Sequence, residues 1–314
     1  MKNFWRELKP GFICSAPMAG ITDVAFRQML IRFGGLDVIW TEMVSVEAIN
    51  RNIKKEYEYD FLFEKKEQPV IAQLFGSKTK QFEKAVKLVK KLGFAGVDIN
   101  MGCPDKNIIK QGGGSALINE PSNAVAIIKA VKKAAGDMPV SIKTRIGFHK
   151  PEYIKWFKIL LACKVDAITV HGRTKQQMYT GRADWEAIAK IVKMRDKISP
   201  KTKIIGNGDV KDLTQAKLKI KESRVDGVMV GRAMLANPWM FCNKQPKDKQ
   251  ERIKLLIQHA KLYKKYFKQE KHFDNFKKYI KAYFSGFDGS KEMRVKLMQT
   301  KSVDELIAII KPQD

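Results

Sequence analysis

The chain has 314 residues, a formal net charge of +27 and 44% hydrophobic residues, enough apolar material for a sizeable core, which excludes a wholly disordered chain. The length allows two domains, or one large domain with an appendage, at ~100–200 residues each. No apolar run approaches the ~18–20 residues of a membrane span, and the first residues lack the long apolar stretch of a signal peptide, so a cytoplasmic protein is expected.

Eight short apolar runs read as strands: residues 12–16, 38–41, 70–74, 97–100, 140–143, 167–171, 203–206 and 227–230. Helical periodicity falls between most of them, at 79–92, 123–135, 151–163, 185–194 and 210–220. In the first of these, Phe82, Ala85, Val86 and Val89 share one face and lysines cover the other. Strands alternating with helices imply parallel pairing with right-handed crossovers, and eight such units predict an α/β protein built on a (β/α)8 TIM barrel. A doubly wound open sheet should show G-x-G-x-x-G after an early strand, and the sequence has none there.

After Asn237-Pro238-Trp239 the character changes. Residues 247–282 carry Leu255, Leu256, His259, Leu262, Tyr263, Tyr266 and Phe267 at helical spacing among lysines. Helical segments at 272–285 and 291–311 flank Ser285-Gly286-Phe287-Asp288-Gly289. The expected organisation is a barrel over 1–243 and a C-terminal all-helical domain over 244–314.

Lysines outnumber arginines 48 to 12, so the total charge partly reflects a lysine-biased composition. Its distribution says more. Residues 244–281 hold 13 Lys+Arg against 4 Asp+Glu, net +9, where an even spread would give about +3; residues 282–314 are net zero. A local excess of this size points to a polyanionic partner, because cations that meet phosphates release counterions.

The four cysteines form no C-x-x-C pair and the four histidines no H-E-x-x-H, so neither a disulfide framework nor a metal is expected. Cys14 and Cys163, inside apolar runs, read as inert core.

In this architecture function gathers at the C-terminal ends of the strands. Those ends carry Ala16-Pro17-Met18-Ala19-Gly20, Gln73, Asn100-Met101-Gly102-Cys103-Pro104, Lys143-Thr144-Arg145, His171-Gly172-Arg173-Thr174, Asn207-Gly208-Asp209 and Gly231-Arg232-Ala233. The last two loops are where barrels of this kind bind phosphate: Gly208 and Gly231 allow close backbone approach and Arg232 supplies charge. The plainer alternative is that these glycines only make tight turns. Lys143 and Gln73 face the middle of the mouth, where a buried lysine needs an electron-rich or anionic partner unless it reaches solvent. Cys103, among glycines and before a proline, is a candidate nucleophile or proton donor; an ordinary thiol value of ~8.5 lets it keep its proton at neutral pH. Gly112–Gly114 either form a loop that closes over substrate or span a turn.

Taken in order, APMAGITDVAFR, TEMVS, QLFGS, VDINMGCPDKNIIKQGGGSAL, SIKTRIGF, ITVHGRT with YTGRADW, IIGNGDV and VDGVMVGRAMLANPWMF resemble the tRNA-dihydrouridine synthases over residues 12–241, and the tail looks like that family's helical domain. The resemblance implies FMN at the barrel mouth, with NADPH (or NADH) as electron donor and tRNA as substrate. It implies Pro17, Met18 and Ala19 beneath the flavin ring, Gln73 and Lys143 on its polar edge, and His171 beside it. Asn207, Gly208, Asp209, Gly231 and Arg232 would meet its ribityl and phosphate groups. Cys103 matches the active-site acid, Asn100 a uracil-contacting position, and Arg173 and Arg182 are candidates for the RNA. The implied reaction passes hydride from reduced flavin to C6 of a flipped-out uracil and a proton from Cys103 to C5, with the tail's basic residues holding the RNA. One departure from the family pattern is Tyr279, where relatives commonly show histidine. Two alternatives stand beside this reading: a flavin barrel that reduces a free pyrimidine or another small molecule, and a non-catalytic RNA-binding protein.

Overall fold

Each apolar run forms a strand, and all eight strands pair in parallel: β1 (Phe12–Ser15), β2 (Ile39–Ser45), β3 (Val70–Phe75), β4 (Gly96–Met101), β5 (Val140–Arg145), β6 (Ala167–His171), β7 (Lys203–Asn207) and β8 (Gly227–Val230). The computed structural model describes residues 3–54, 57–242, 244, 248–268, 272–285 and 287–310. The sheet order is β1-β8-β7-β6-β5-β4-β3-β2, and a parallel bridge between Cys14 and Val38 joins its two ends into a closed cylinder. β2 and β5 run past their expected ends because Met43–Ser45, after a register shift, and Thr144–Arg145 continue the ladder toward the barrel mouth.

Around the cylinder lie α1 (Val24–Phe33), α2 (Val46–Asn50), α3 (Thr79–Lys91), α4 (Lys106–Lys110), α5 (Pro121–Ala135), α6 (Tyr153–Ala162), α7 (Trp185–Ile198), α8 (Leu213–Ser223) and α9 (Arg232–Ala236). In α3 the four apolar residues of the expected face are fully buried. Burial contributes on the order of 1.5–3 kcal/mol for each large side chain, which outweighs the weak preferences of the intervening lysines. Asp23, Asp184 and Asp212 cap α1, α7 and α8, each accepting a hydrogen bond from the third residue onward. α1 is not among the expected helices; its residues from Val24 to Leu30 are all buried.

What buries the outer face of α1 is the tail. It comprises α10 (Lys249–Phe267), α11 (Lys277–Tyr283), α12 (Ser290–Met298) and α13 (Val303–Ile310). α10 turns Ile253, Leu256, Ala260, Tyr263 and Phe267 inward and packs along α1. The Tyr279 ring stacks on Phe26 with centroids 5.5 Å apart, and its hydroxyl donates to the carbonyl of Ile21. Lys278 donates to the carbonyl of Gly20. The tail is thus fastened to the loop after β1, at the mouth of the barrel. The segment expected as one helix over 291–311 is two helices, separated at 299–302, and its last residue lies outside the described residues, as do the expected domain limit at 243, Lys247 and Gly286. Cys14 is fully buried, as expected of core, whereas Cys163 is half-buried, because it follows the last turn of α6 and not its apolar face.

Candidate active site

The strand ends and the loops after them enclose a cavity of about 820 Å³ at the barrel mouth. Its lining contains Pro17, Met18, Ala19, Gln73, Asn100, Cys103, Lys143, His171, Asn207, Gly208, Asp209, Gly231 and Arg232. These residues come from seven separate strand ends, so parallel pairing in register brings them together.

The first wall is the loop after β1. Thr22 fixes it: its hydroxyl accepts from the Met18 N–H (3.0 Å) and donates to the Met18 carbonyl (3.2 Å). Opposite, β4 ends at Cys103. The Asn100 side-chain oxygen accepts from the backbone N–H groups of Gly102 (3.1 Å) and Cys103 (2.9 Å), which turns the chain sharply after the strand. Gly114 explains the glycine run below it: at φ +57°, an added Cβ would lie 2.8 Å from the Cys103 carbonyl oxygen. The Ser115 N–H donates to that same oxygen (3.0 Å), so these glycines permit close packing beneath the cysteine. Burial raises the Cys103 thiol pKa above its ordinary value, which keeps the proton on sulfur at neutral pH.

Lys143 and His171 occupy the floor. The Lys143 amine reaches Asn207 Oδ1 at 3.4 Å, and Asn207 is held in turn by donating to the Met229 carbonyl (2.8 Å). Burial, and then the Arg145 charge, pull the Lys143 pKa down to about 8. Burial and the charges of Lys143, Arg145, Arg173 and Arg232 push His171 well below 6.5, so its imidazole is neutral. At the far wall Gly208 takes φ +128°, and a Cβ there would meet that of Ala183 at 2.6 Å. Next to it Asp209 accepts both bonds of Arg173 (2.7 and 2.8 Å) and the Ala183 N–H (2.8 Å), which outweigh its burial and lower its pKa.

Two expected RNA contacts lie elsewhere. Arg173 is 2% exposed, with its donors directed at Asp209 and at the carbonyls of Thr180 and Gly181. It therefore braces the wall and does not face the mouth. Arg182 is exposed and outside the cavity lining. Three further residues line or support the site. Arg145 donates to the carbonyls of Gly102 (2.8 Å), Thr174 (3.0 Å) and Met178 (3.0 Å). Tyr179, 54% exposed, has the Arg145 and Arg232 guanidinium groups over its ring at 5.9 and 5.1 Å. Asp98 lies under the floor. Alternation along the strands is the available signal: Arg145 is two residues beyond Lys143 and Asp98 two before Asn100, each pair on one face. Tyr179 opens the YTGRADW motif, which is its signal in the sequence. Among the described residues no group of three or more His, Cys, Asp or Glu side chains could hold a metal ion.

Residues 14–312 match the family model described as dihydrouridine synthase. The chain belongs to the dihydrouridine synthase family. It is 38% identical to the "Probable tRNA-dihydrouridine synthase 2" of Bacillus subtilis (strain 168), over 98% of this chain and 96% of that protein. It is 36% identical to the "Probable tRNA-dihydrouridine synthase" of Staphylococcus aureus (strain COL), over 98% and 95%. Among solved structures, morphinone reductase in complex with tetrahydroNAD shares the fold, with a TM-score of 0.51 at 15% identity over 77% of this chain and 90% of that one. Family membership makes the protein an oxidoreductase of the flavin-dependent kind and excludes a barrel that serves only as a scaffold.

Proposed function

We propose that the protein reduces the C5–C6 double bond of uridine in tRNA to 5,6-dihydrouridine, using FMN as cofactor and NADPH as reductant, with Cys103 as the proton donor. The observation that carries this reading is a thiol kept protonated by burial on the wall of the same cavity that Lys143 and Arg232 line.

The residues present fit FMN. A volume of about 820 Å³ lies within the roughly 300–1,000 Å³ of cofactor sites. Lys143, Arg145 and Arg232 are close enough to depress the pKa of His171, and Arg145 that of Lys143, so an anionic or electron-rich group in the cavity relieves their mutual repulsion. Gly231 leaves open space, with no atom closer than 3.6 Å to an added Cβ, so a phosphate can approach the backbone beside the Arg232 guanidinium. Pro17, Met18 and Ala19 offer an apolar shelf for a planar ring, and Gln73 and Lys143 its polar contacts. When bound and reduced, FMN supplies hydride to C6 of the base.

The chain's own residues do the rest. Asn100 reads the polar edge of the uracil. Cys103 Sγ gives its proton to C5 as C6 is reduced, so the double bond gains one hydride and one proton. Neutral His171 adds no further charge to the floor. The uridine leaves its stack to reach the cavity, at a cost of a few kcal/mol. Phosphate contacts from the helical tail, whose exposed lysines include Lys254, Lys261 and Lys268, offset that cost.

The test is Cys103→Ala assayed on unmodified tRNA. Loss of a general acid typically costs 10²–10⁴-fold. The variant should keep its flavin absorbance and lose at least 100-fold in dihydrouridine formation; unchanged turnover would remove Cys103 from this role.

A further inference from the structure

Asp98 lies inside the barrel with no solvent exposure, in the middle of β4 and on the same face as Asn100. Its carboxylate accepts from Ser141 Oγ (2.6 Å) and from Gln73 Nε2 (2.7 Å). Gln73 Oε1 accepts in turn from Asn100 Nδ2 (2.9 Å), and Asn100 Oδ1 accepts from the N–H groups of Gly102 and Cys103. Three side chains from two adjacent strands therefore link a buried charge to the backbone of the reactive thiol.

The two ends of this chain have opposite and fixed polarity. A carboxylate only accepts hydrogen bonds, and a backbone N–H only donates. The two amides between them can each be turned by 180°, but only one orientation of both satisfies both ends. We propose that Asp98 is a positioning residue: its carboxylate fixes the direction of the Gln73 and Asn100 amides and, through them, the attitude of the Cys103 turn. This deepens the reading of Cys103 as proton donor and rests on it. Gln73 and Asn100 also line the cavity, so the same anchor decides which of their polar atoms face an occupant.

Burying a carboxylate is costly, and an apolar residue could fill the same place. Burial raises the Asp98 pKa to about 6, while Ser141, Gln73, the Lys143 cation of β5 and the Trp40 indole of β2 favour the charged form. The carboxyl is therefore ionised at neutral pH, and the chain keeps its direction. Below about pH 6 it gains a proton, which it can direct at Ser141 while its other oxygen still accepts from Gln73.

The test is the rate at which iodoacetamide alkylates Cys103 in the full-length protein as purified, read by peptide mass spectrometry with half-buried Cys163 as internal reference. Asp98→Leu removes the anchor and should change the Cys103 rate at least fivefold with Cys163 unmoved. Asp98→Asn still accepts from Gln73 through its amide oxygen while donating to Ser141, and should restore the wild-type rate within twofold. An unchanged Cys103 rate in Asp98→Leu, or an equal change at Cys163, overturns the proposal. If Asp98→Leu does not fold, Asp98→Ala decides by the same Cys103-to-Cys163 ratio: a change of at least fivefold is expected, and an unchanged ratio overturns the proposal. Failure of the proton-donor reading looks different: Cys103→Ala would then retain dihydrouridine formation while these alkylation responses remained.

Discussion

An aspartate whose folded pKa stands near 6, against 3.8 for the ordinary side chain, lowers stability when it ionises. The folded state binds the proton more tightly than the unfolded state, so stability falls as pH rises from about 4 to 6 and is level above. At roughly 1.4 kcal/mol per pKa unit the cost at neutral pH is about 3 kcal/mol. Asp98→Asn should therefore gain up to about 3 kcal/mol at pH 7, less whatever Lys143 loses with its neighbouring anion, and gain nothing at pH 3.5. Chemical denaturation at the two pH values checks this, and a gain of equal size at both would contradict the assignment. The same residue shows where reading single positions runs out. Cys103 and Lys143 stand out in the sequence because a thiol among glycines and a lysine ending an apolar strand are chemically unusual. Asp98 is one charge inside VDIN, and only its partners on β3 and β5 give it meaning. Arg173 misleads for a related reason. The family resemblance offers Arg173 to the RNA, but three acceptors inside the wall already hold its guanidinium.

Elements are legible where one face meets the core and the other meets water. α3, α5 and α7 satisfy that condition, and their sequence limits lie within a few residues of the observed ones. α1 does not meet it, because α10 covers its outer side and every residue from Val24 to Leu30 is buried. α12 and α13 read as one helix because the 299–302 break contains neither glycine nor proline. The tail helices also carry the local excess of positive charge. On α10, Lys264 is paired with Asp304 and Lys265 lies 3.4 Å from Glu64, both at exposed positions where such pairs are worth about 0–1 kcal/mol and yield readily to phosphate. Replacing exposed Lys261, Lys268 and Lys281 by serine should weaken tRNA binding and reduce the slope of log affinity against log salt by about 0.7–0.9 for each phosphate no longer neutralised. An unaltered slope would place the RNA on another surface.

For the molecule as a whole, the mouth depends on contacts between distant parts of the chain. Arg27 on α1 is fully buried, pairs with Glu67 at 2.7 Å, and donates to the carbonyl of Thr22 at 2.8 Å. Gln28 donates to the same carboxylate at 2.6 Å. This ties the segment before β3 to the loop whose Met18 and Ala19 line the cavity. Breaking a buried pair by removing one partner typically costs about 3–5 kcal/mol, because the other charge is left uncompensated. Glu67→Ala should lose stability in that range and release flavin more readily. Denaturant titration and the flavin-to-protein ratio after dialysis measure the two effects; retention equal to wild type would separate this pair from the site.

The sequence by itself determined the eight strands, most of the helices between them, the change of character after residue 237, and many of the residues that line the cavity. These follow from local chemistry: alternation, apolar faces, glycines where the backbone must turn, and unusual side chains at strand ends. Only the tertiary structure decided which arginines brace a wall and which face the mouth, how the tail is fastened at Ile21 and Phe26, and that Asp98 reaches Cys103 through two amides. Those matters depend on which donors and acceptors are already satisfied. Satisfaction is a property of neighbours brought together by barrel closure, not of neighbours along the chain.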